Sequence, residues 1–201
     1  MLLEKRETDL KSCLIQKREK EKEEEPEIIP IKVNNIKVKE ENKETPILTP
    51  FHFTVYFTCS QILKQDIEWS VIYVGNAEDE NYDQLLDVVE VGPISHLGDY
   101  QFELEVPAPN FHLIPKEEHL GITCILILGK YNKQEFIRVG YYLKNEYWIE
   151  EEEEEKEVEK EKEQDLYYLN KIKRSILTDM PRVTTFSIYW DDIPILPSLK
   201  F

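Results

Sequence analysis

Residues 51–60 read FHFTVYFTCS, and the alternation in that stretch decides how the rest is read. Successive side chains of a β-strand point to opposite faces, so Phe51, Phe53, Val55 and Phe57 share one side, which belongs to a core. Working outward, short β-branched and aromatic runs separated by Pro, Gly, Asn and Asp fill the chain from Ile31 to Tyr147. The expected strands are 31–38, 51–60, 67–74, 85–91, 99–106, 121–129 and 134–144. That texture predicts an all-β fold, an immunoglobulin-like antiparallel β-sandwich. Between two of the strands, APNFHLIP (108–115) has too few N–H donors around Pro107, Pro109 and Pro115 for a central strand, and is read as an ordered loop.

The flanks differ in kind. KREKEKEEE (17–25) buries no apolar surface, so residues 1–30 are expected to be a charged N-terminal extension outside the fold, disordered or a frayed helix. EEEEEEKEVEKEKE (150–163) is a run of mutually repelling charges, read as a solvated acidic insertion over 150–165, with an exposed helix as the alternative. After it, Leu166, Leu169, Ile172, Ile176 and Leu177 recur at roughly helical spacing and stop before Pro181, which predicts one short amphipathic helix over 166–178. VTTFSIYW (183–190) places Phe186, Ile188 and Trp190 on one face, which predicts a last strand returning to the sheet. The core is thus expected at 31–149 and 166–192, with 193–201 a tail.

Bulk properties narrow the function. The 201 residues suit one domain, and 41 acidic against 25 basic residues give a formal charge of −16. Such a surface repels phosphate backbones and attracts cationic partners, which argues against direct nucleic-acid binding. Cys13, Cys59 and Cys124 stand far apart without a CxxC pair, so neither a disulfide framework nor a zinc site is indicated. His52, His96, His112 and His119 show no ligand spacing, and the carboxylate pairs Asp66–Glu68 and Asp191–Asp192 have no companion constellation. With six glycines there is no phosphate-binding loop. No enzyme, metal or cofactor is therefore expected. Neither a secretory signal nor a membrane-length apolar stretch is legible, so the protein reads as soluble and intracellular.

One strand carries more apolar surface than a sandwich needs. GITCILILG (121–129) sets Ile122, Cys124, Leu126 and Leu128 on one face and Ile125 and Ile127 on the other. In an antiparallel sandwich only the inner face is ordinarily dry, so the strand is either fully buried or part of a binding surface. In the neighbouring QEFIRVGYYLK (134–144), Arg138 and Tyr142 share one face, with Ile137, Val139 and Tyr141 on the other. Arg and Tyr are common interface anchors, but pattern alone does not separate that role from ordinary sheet positions.

Long phrases settle it: VNN (33–35), PFHF (50–53), IEWSVIYVGNAEDENYDQLLD (67–87), VGP (91–93), APN (108–110), LIP (113–115), QEFIRVGYYLKNEY (134–147) and PRVTTFSIYWDD (181–192). In this order and spacing the chain resembles the anti-silencing-function family of histone chaperones. The resemblance implies a nuclear, monomeric, ATP-independent chaperone that binds the histone three/histone four heterodimer by its tetramer-forming surface and hands it to deposition factors. It implies a docking face for a histone three helix, with Val74, Ile122, Cys124, Leu126 and Tyr142 as apolar contacts and Asp83, Glu118 and Arg138 as charged ones. Cys124 stands where the family has valine, one small hydrophobe for another. It implies a second site where the histone four tail adds a strand beside the last strand, involving Val139, Tyr141, Leu177, Pro181 and Val183, with Arg182 and Thr184 alongside. A third surface would receive basic hairpin motifs of deposition chaperones at Asp66, flanked by Phe57 and Asp87, with Gln65 where the family has glutamate. The competing reading is an extracellular immunoglobulin-type adhesion domain, from the order Cys59, Trp69, Cys124. Immunoglobulin domains place Tyr two residues before the second Cys, where this chain has Ile122.

Overall fold

A computed structural model describes residues 29–39, 43–148 and 167–191. The expectations for residues 1–28, for the acidic insertion 150–165 and for the tail 193–201 lie outside the described residues. Two antiparallel sheets face each other. The smaller joins β1 (Ile31–Val38), β3 (Phe51–Cys59) and β6 (Gly98–Val106) in the order β1-β3-β6. The larger contains β2 (Glu44–Pro46), β4 (Ile67–Tyr73), β5 (Gln84–Val91), β7 (Gly121–Tyr131), β8 (Gln134–Tyr147) and β9 (Ile172–Thr185), in the order β2-β9-β8-β7-β4-β5. The predicted β-sandwich is what the chain forms.

Burial follows the two-residue period that the sequence displays. Phe51, Phe53, Val55, Phe57 and Cys59 of β3 are buried and the residues between them half-buried. They meet Trp69, Ile125, Ile127, Val139, Tyr141 and Leu143 from the larger sheet. Trp69 packs edge-on to Phe136 at 6.0 Å and tilted against Phe102 at 5.4 Å, so one indole joins both layers. The 107–120 segment is an ordered loop with two 3-10 turns, Phe111–Leu113 and Lys116–Glu118. Buried His119 fastens it, its Nε2–H lying 2.9 Å from the carbonyl of Phe111 and 3.0 Å from that of Ile114.

One short helix does form near the C-terminus, but its bounds and those of the last strand need correction. The short helix is a single turn at 167–170, and most of the 166–178 window is strand β9. A spacing of four fits a helical face, but it also fits every second inward position of a strand. Ile172, Arg174 and Ile176 all point inward and are buried. Leu177, counted toward the helical stripe, is 47 % exposed. Pro181 does not end a helix. The register jumps from Gly140 opposite Arg182 to Tyr142 opposite Leu177, so residues 178–181 bulge out of the ladder where a missing N–H does little harm. The expected strand 183–190 is in fact the end of β9 to Thr185, followed by an irregular strap. The strap is held by Phe186 N–H to the Phe136 carbonyl at 2.9 Å and by Trp190 stacked on Tyr131 at 5.2 Å.

Arg174 is a buried cation that organises the β2–β3 connection. It is 1 % exposed, its guanidinium lies 3.6 Å from the centre of the Phe51 ring, and it donates to the carbonyls of Thr49 at 2.9 Å and Ile47 at 3.4 Å. Charged hydrogen bonds and a desolvated cation–π contact together contribute on the order of 3 kcal/mol. Arg174→Ala is expected to lower the unfolding free energy by that amount, read as a lower urea midpoint at unchanged slope; a loss below about 1 kcal/mol contradicts the assignment.

Candidate functional site

The pairing of β7 with β8 builds the outer face row by row. Ile122 lies opposite Lys144, Cys124 opposite Tyr142, Leu126 opposite Gly140 and Leu128 opposite Arg138. Ile125 and Ile127 go inward with no exposure, while Ile122 is 61 % and Tyr142 41 % exposed, and Cys124 and Leu126 are half-buried. Cys124, Leu126, Gly140, Tyr141, Tyr142 and Arg182 line a hollow of about 140 Å³. Gly140 makes room for it, since a Cβ there would lie 3.1 Å from Leu126 Cδ2. The outer face of β7 is covered at one end and open at the other. Leu128 is covered although it stands apart from the inter-sheet core, and the Ile122–Leu126 end is open among the described residues.

Charged groups rim this face. Val74 is held beside it by its N–H to the Cys124 carbonyl at 3.0 Å. Asp83 accepts from Gly75 N–H at 3.3 Å; burial, with Glu80 and Asp79 nearby, nevertheless raises its carboxyl above the usual range. Burial, helped by Asp83, also raises the Cys124 thiol. Glu118 sits half-buried in the second 3-10 turn. Arg138 is gripped in bidentate fashion by Glu135, Nε to Oε1 at 2.7 Å and Nη2 to Oε2 at 3.0 Å, and leans over Phe186 at 5.9 Å. Glu135 escapes sequence reasoning because strict alternation puts residues 135 and 138 on opposite faces. A bulge, with Gly129 opposite Ile137 but Lys130 opposite Glu135, brings them to one side.

The β9 edge is the second candidate. β2 pairs only with Lys173–Ser175, which leaves the outer edge from Ile176 to Thr185 unpaired among the described residues. Leu177 and Val183 are 47 % and 58 % exposed, and Pro181, Arg182 and Thr184 are exposed beside them. Val139 and Tyr141 lie behind, buried in the inter-sheet core, with the Tyr141 hydroxyl donating to the Ile36 carbonyl at 2.8 Å. A groove of about 390 Å³ opens next to Val183, lined also by Ile31, Val33, Ile137, Phe186 and Trp190. Its β1 wall comes from remote sequence and carries no local signal.

At the third candidate, Asp66 is exposed at the end of the 60–66 turn, and its carboxylate lies so close to Gly92 that a Cβ there would collide with it. Asp87 is half-buried on β5 and accepts from Val88 N–H at 2.8 Å. Phe57 is displaced from its expected role. It has no exposure and is stacked inside the sandwich against Tyr100 at 5.3 Å, as the inward parity of β3 requires, so it is not a contact residue.

Among the described residues no group of three or more His, Cys, Asp or Glu could hold a metal, and no helix is long and apolar enough to cross a membrane. Cys59 and Cys124 are free thiols. They cannot meet as an adhesion domain's bridge would require, because Cys59 is buried inside the sandwich whereas Cys124 sits on the outer face of β7.

The family model described as ASF1 like histone chaperone matches residues 29–191. Among curated relatives, Histone chaperone ASF1B of Mus musculus is 42 % identical over 164 residues, 82 % of this chain and 76 % of that protein. Histone chaperone ASF1 of Mycosarcoma maydis is 45 % identical over 151 residues, 75 % of this chain and 82 % of that protein. Probable histone chaperone ASF1A of Arabidopsis thaliana is 42 % identical over 158 residues, 79 % and 76 % respectively. The vacant outer sheet face and the open β9 edge therefore belong to a chain whose matched span covers the whole sandwich, and the chain belongs to the ASF1-like histone chaperone family.

Proposed function

We propose that this chain is a non-enzymatic, ATP-independent nuclear chaperone that holds one histone three/histone four heterodimer by its tetramer-forming surface and passes it to deposition factors during nucleosome assembly and disassembly. The observation that carries this reading is the outer face of β7 and β8: an apolar hollow around Cys124, Leu126 and Tyr142, bordered by Asp83 on one side and Arg138 on the other. A helix laid across it would bury Ile122, Val74 and Tyr142 at about 25 cal/mol per Å² of apolar area. Glu118, Asp83 and the Glu135–Arg138 pair would set its register and favour a cationic partner. The overall charge of −16 suits capture of basic histones from solution.

The β9 edge supports a second contact by strand addition. A histone four tail would pair with the backbone between Leu177 and Thr185, with side chains reaching Leu177, Pro181 and Val183 in front of Val139 and Tyr141, and with Arg182 and Thr184 flanking. Asp66 and Asp87 form an acidic surface for basic hairpins of deposition chaperones. In this chain Gln65 gives that surface one charge fewer than the family's glutamate would.

Calorimetric titration with the heterodimer separates the two histone contacts. Cys124→Arg places a charge in the hollow and is expected to weaken binding by about 2–3 kcal/mol, roughly 30- to 150-fold; Arg138→Glu is expected to cost at least about tenfold. Unchanged affinity in both variants refutes the face. Val183→Glu, at an exposed position the fold tolerates, is expected to abolish binding of an isolated histone four C-terminal peptide while an isolated histone three helix peptide binds as before. Equal binding of the tail peptide by wild type and variant rules out the edge.

A further inference from the structure

The 60–66 turn carries Asp66 but contains no helix or strand, so something else must fix its shape. Only one large apolar anchor, Leu63, is buried in it, and Ile62 is 55 % exposed. Ser60 N–H ties its start to the Pro30 carbonyl at 2.8 Å, and a polar clasp supplied by two distant parts of the chain holds the rest. Lys64 N–H donates to Asp191 Oδ2 at 2.6 Å. The N–H groups of Lys64 and Gln65 both lie 3.2 Å from the Tyr131 hydroxyl oxygen, and that hydroxyl donates in turn to Asp191 Oδ2 at 2.5 Å. Tyr131 is 1 % exposed at the end of β7, and Trp190, the neighbour of Asp191, stacks on its ring. Burial, with the hydrogen bond to Asp191 next, pushes the Tyr131 phenol up to about 12, so it stays a donor at neutral pH.

The carboxylate is thus the acceptor on which two donors converge, and it orients the two backbone N–H groups immediately before Asp66. We propose that Asp191, acting directly and through Tyr131, is a positioning residue for the Asp66 surface: the C-terminal strap closes the turn so that Asp66 is presented, preorganised, to a cationic hairpin partner. This rests on the reading of Asp66 as a partner contact. Preorganisation matters because an unfastened turn would have to be ordered at the moment of binding, and that entropy is subtracted from affinity. The histone-binding hollow is built from other rows of β7 and β8 and shares no residue with the clasp.

The test uses the full chain with four substitutions, Asp191→Ala, Asp191→Asn, Tyr131→Phe and Asp66→Ala. Hydrogen exchange over 60–66 is followed alongside affinity for a synthetic arginine-bearing β-hairpin peptide and for the histone heterodimer. Asp191→Ala is expected to speed exchange in the turn about tenfold and to weaken the hairpin peptide about five- to twentyfold, with heterodimer affinity within about twofold of wild type. Asp191→Asn, which keeps an acceptor, recovers most of both losses, and Tyr131→Phe, which keeps the Trp190 stack, shows intermediate effects. Unchanged exchange in Asp191→Ala overturns the clasp. Faster exchange with unchanged peptide affinity overturns the positioning role. If Asp66→Ala binds the peptide as wild type does, the surface itself is misassigned and the positioning role falls with it, whatever exchange shows.

Discussion

One sheet packed on another covers only one of its faces, and that constraint governs the rest of this molecule. β1, β3 and β6 cover the inward side chains of the larger sheet, where Trp69, Ile125, Ile127 and Leu143 lose contact with water. Nothing comparable lies over the outward side chains of β7 and β8 among the described residues, yet those positions include Ile122, Cys124, Leu126 and Tyr142. Apolar surface of this kind is stable in isolation only as a modest patch, and its rim of Asp83, Glu118 and Arg138 keeps it small and soluble. The strand order leaves β9 near the margin of the larger sheet, with a short partner in β2 and, among the described residues, an open backbone beyond it.

Charge and apolar area divide the work. The hollow supplies burial but little selectivity, since many amphipathic helices offer a suitable stripe. On the proposed reading the rim would supply orientation, and here the free protein already holds Arg138 against Glu135. A docking acid would therefore have to share the guanidinium with Glu135. Pre-pairing lowers the gain from the contact, but it also fixes the side chain and reduces the entropy lost on binding. Asp83 is kept partly out of water by the fold, so a cation arriving beside it restores the stabilisation that burial removed.

The sandwich was legible because its signal is strictly local: the parity of Phe51, Phe53, Val55 and Phe57 suffices to assign a half-covered strand. The outer face was legible for the same reason, from the double-sided apolar pattern of residues 121–129. What sequence concealed were places where the period breaks. Ile172 and Ile176 satisfy a strand and a helix equally, and the bulge at 178–181 resembles a helix stop because both tolerate Pro181. Glu135 reaches Arg138 only through a one-residue slip opposite Lys130. Phe57 shows the converse error, since its parity already assigned it to the core and the family resemblance alone moved it to a surface. Asp191 joins Lys64 across 127 positions, a proximity that no local pattern encodes.

If the β7–β8 outer face is left free by the chain and filled by a histone, as proposed, Cys124 reports on it directly. Its thiol lies in the hollow, half-exposed, whereas Cys59 is buried. Alkylation of Cys124 with a maleimide under mildly alkaline conditions, followed peptide by peptide in the mass spectrometer, should proceed readily in the free protein and be suppressed as the histone three/histone four heterodimer is added, levelling off at one equivalent. A Cys124 that reacts equally fast with saturating heterodimer, or that is already shielded in the chain alone, would mean that this face is not where the histone docks.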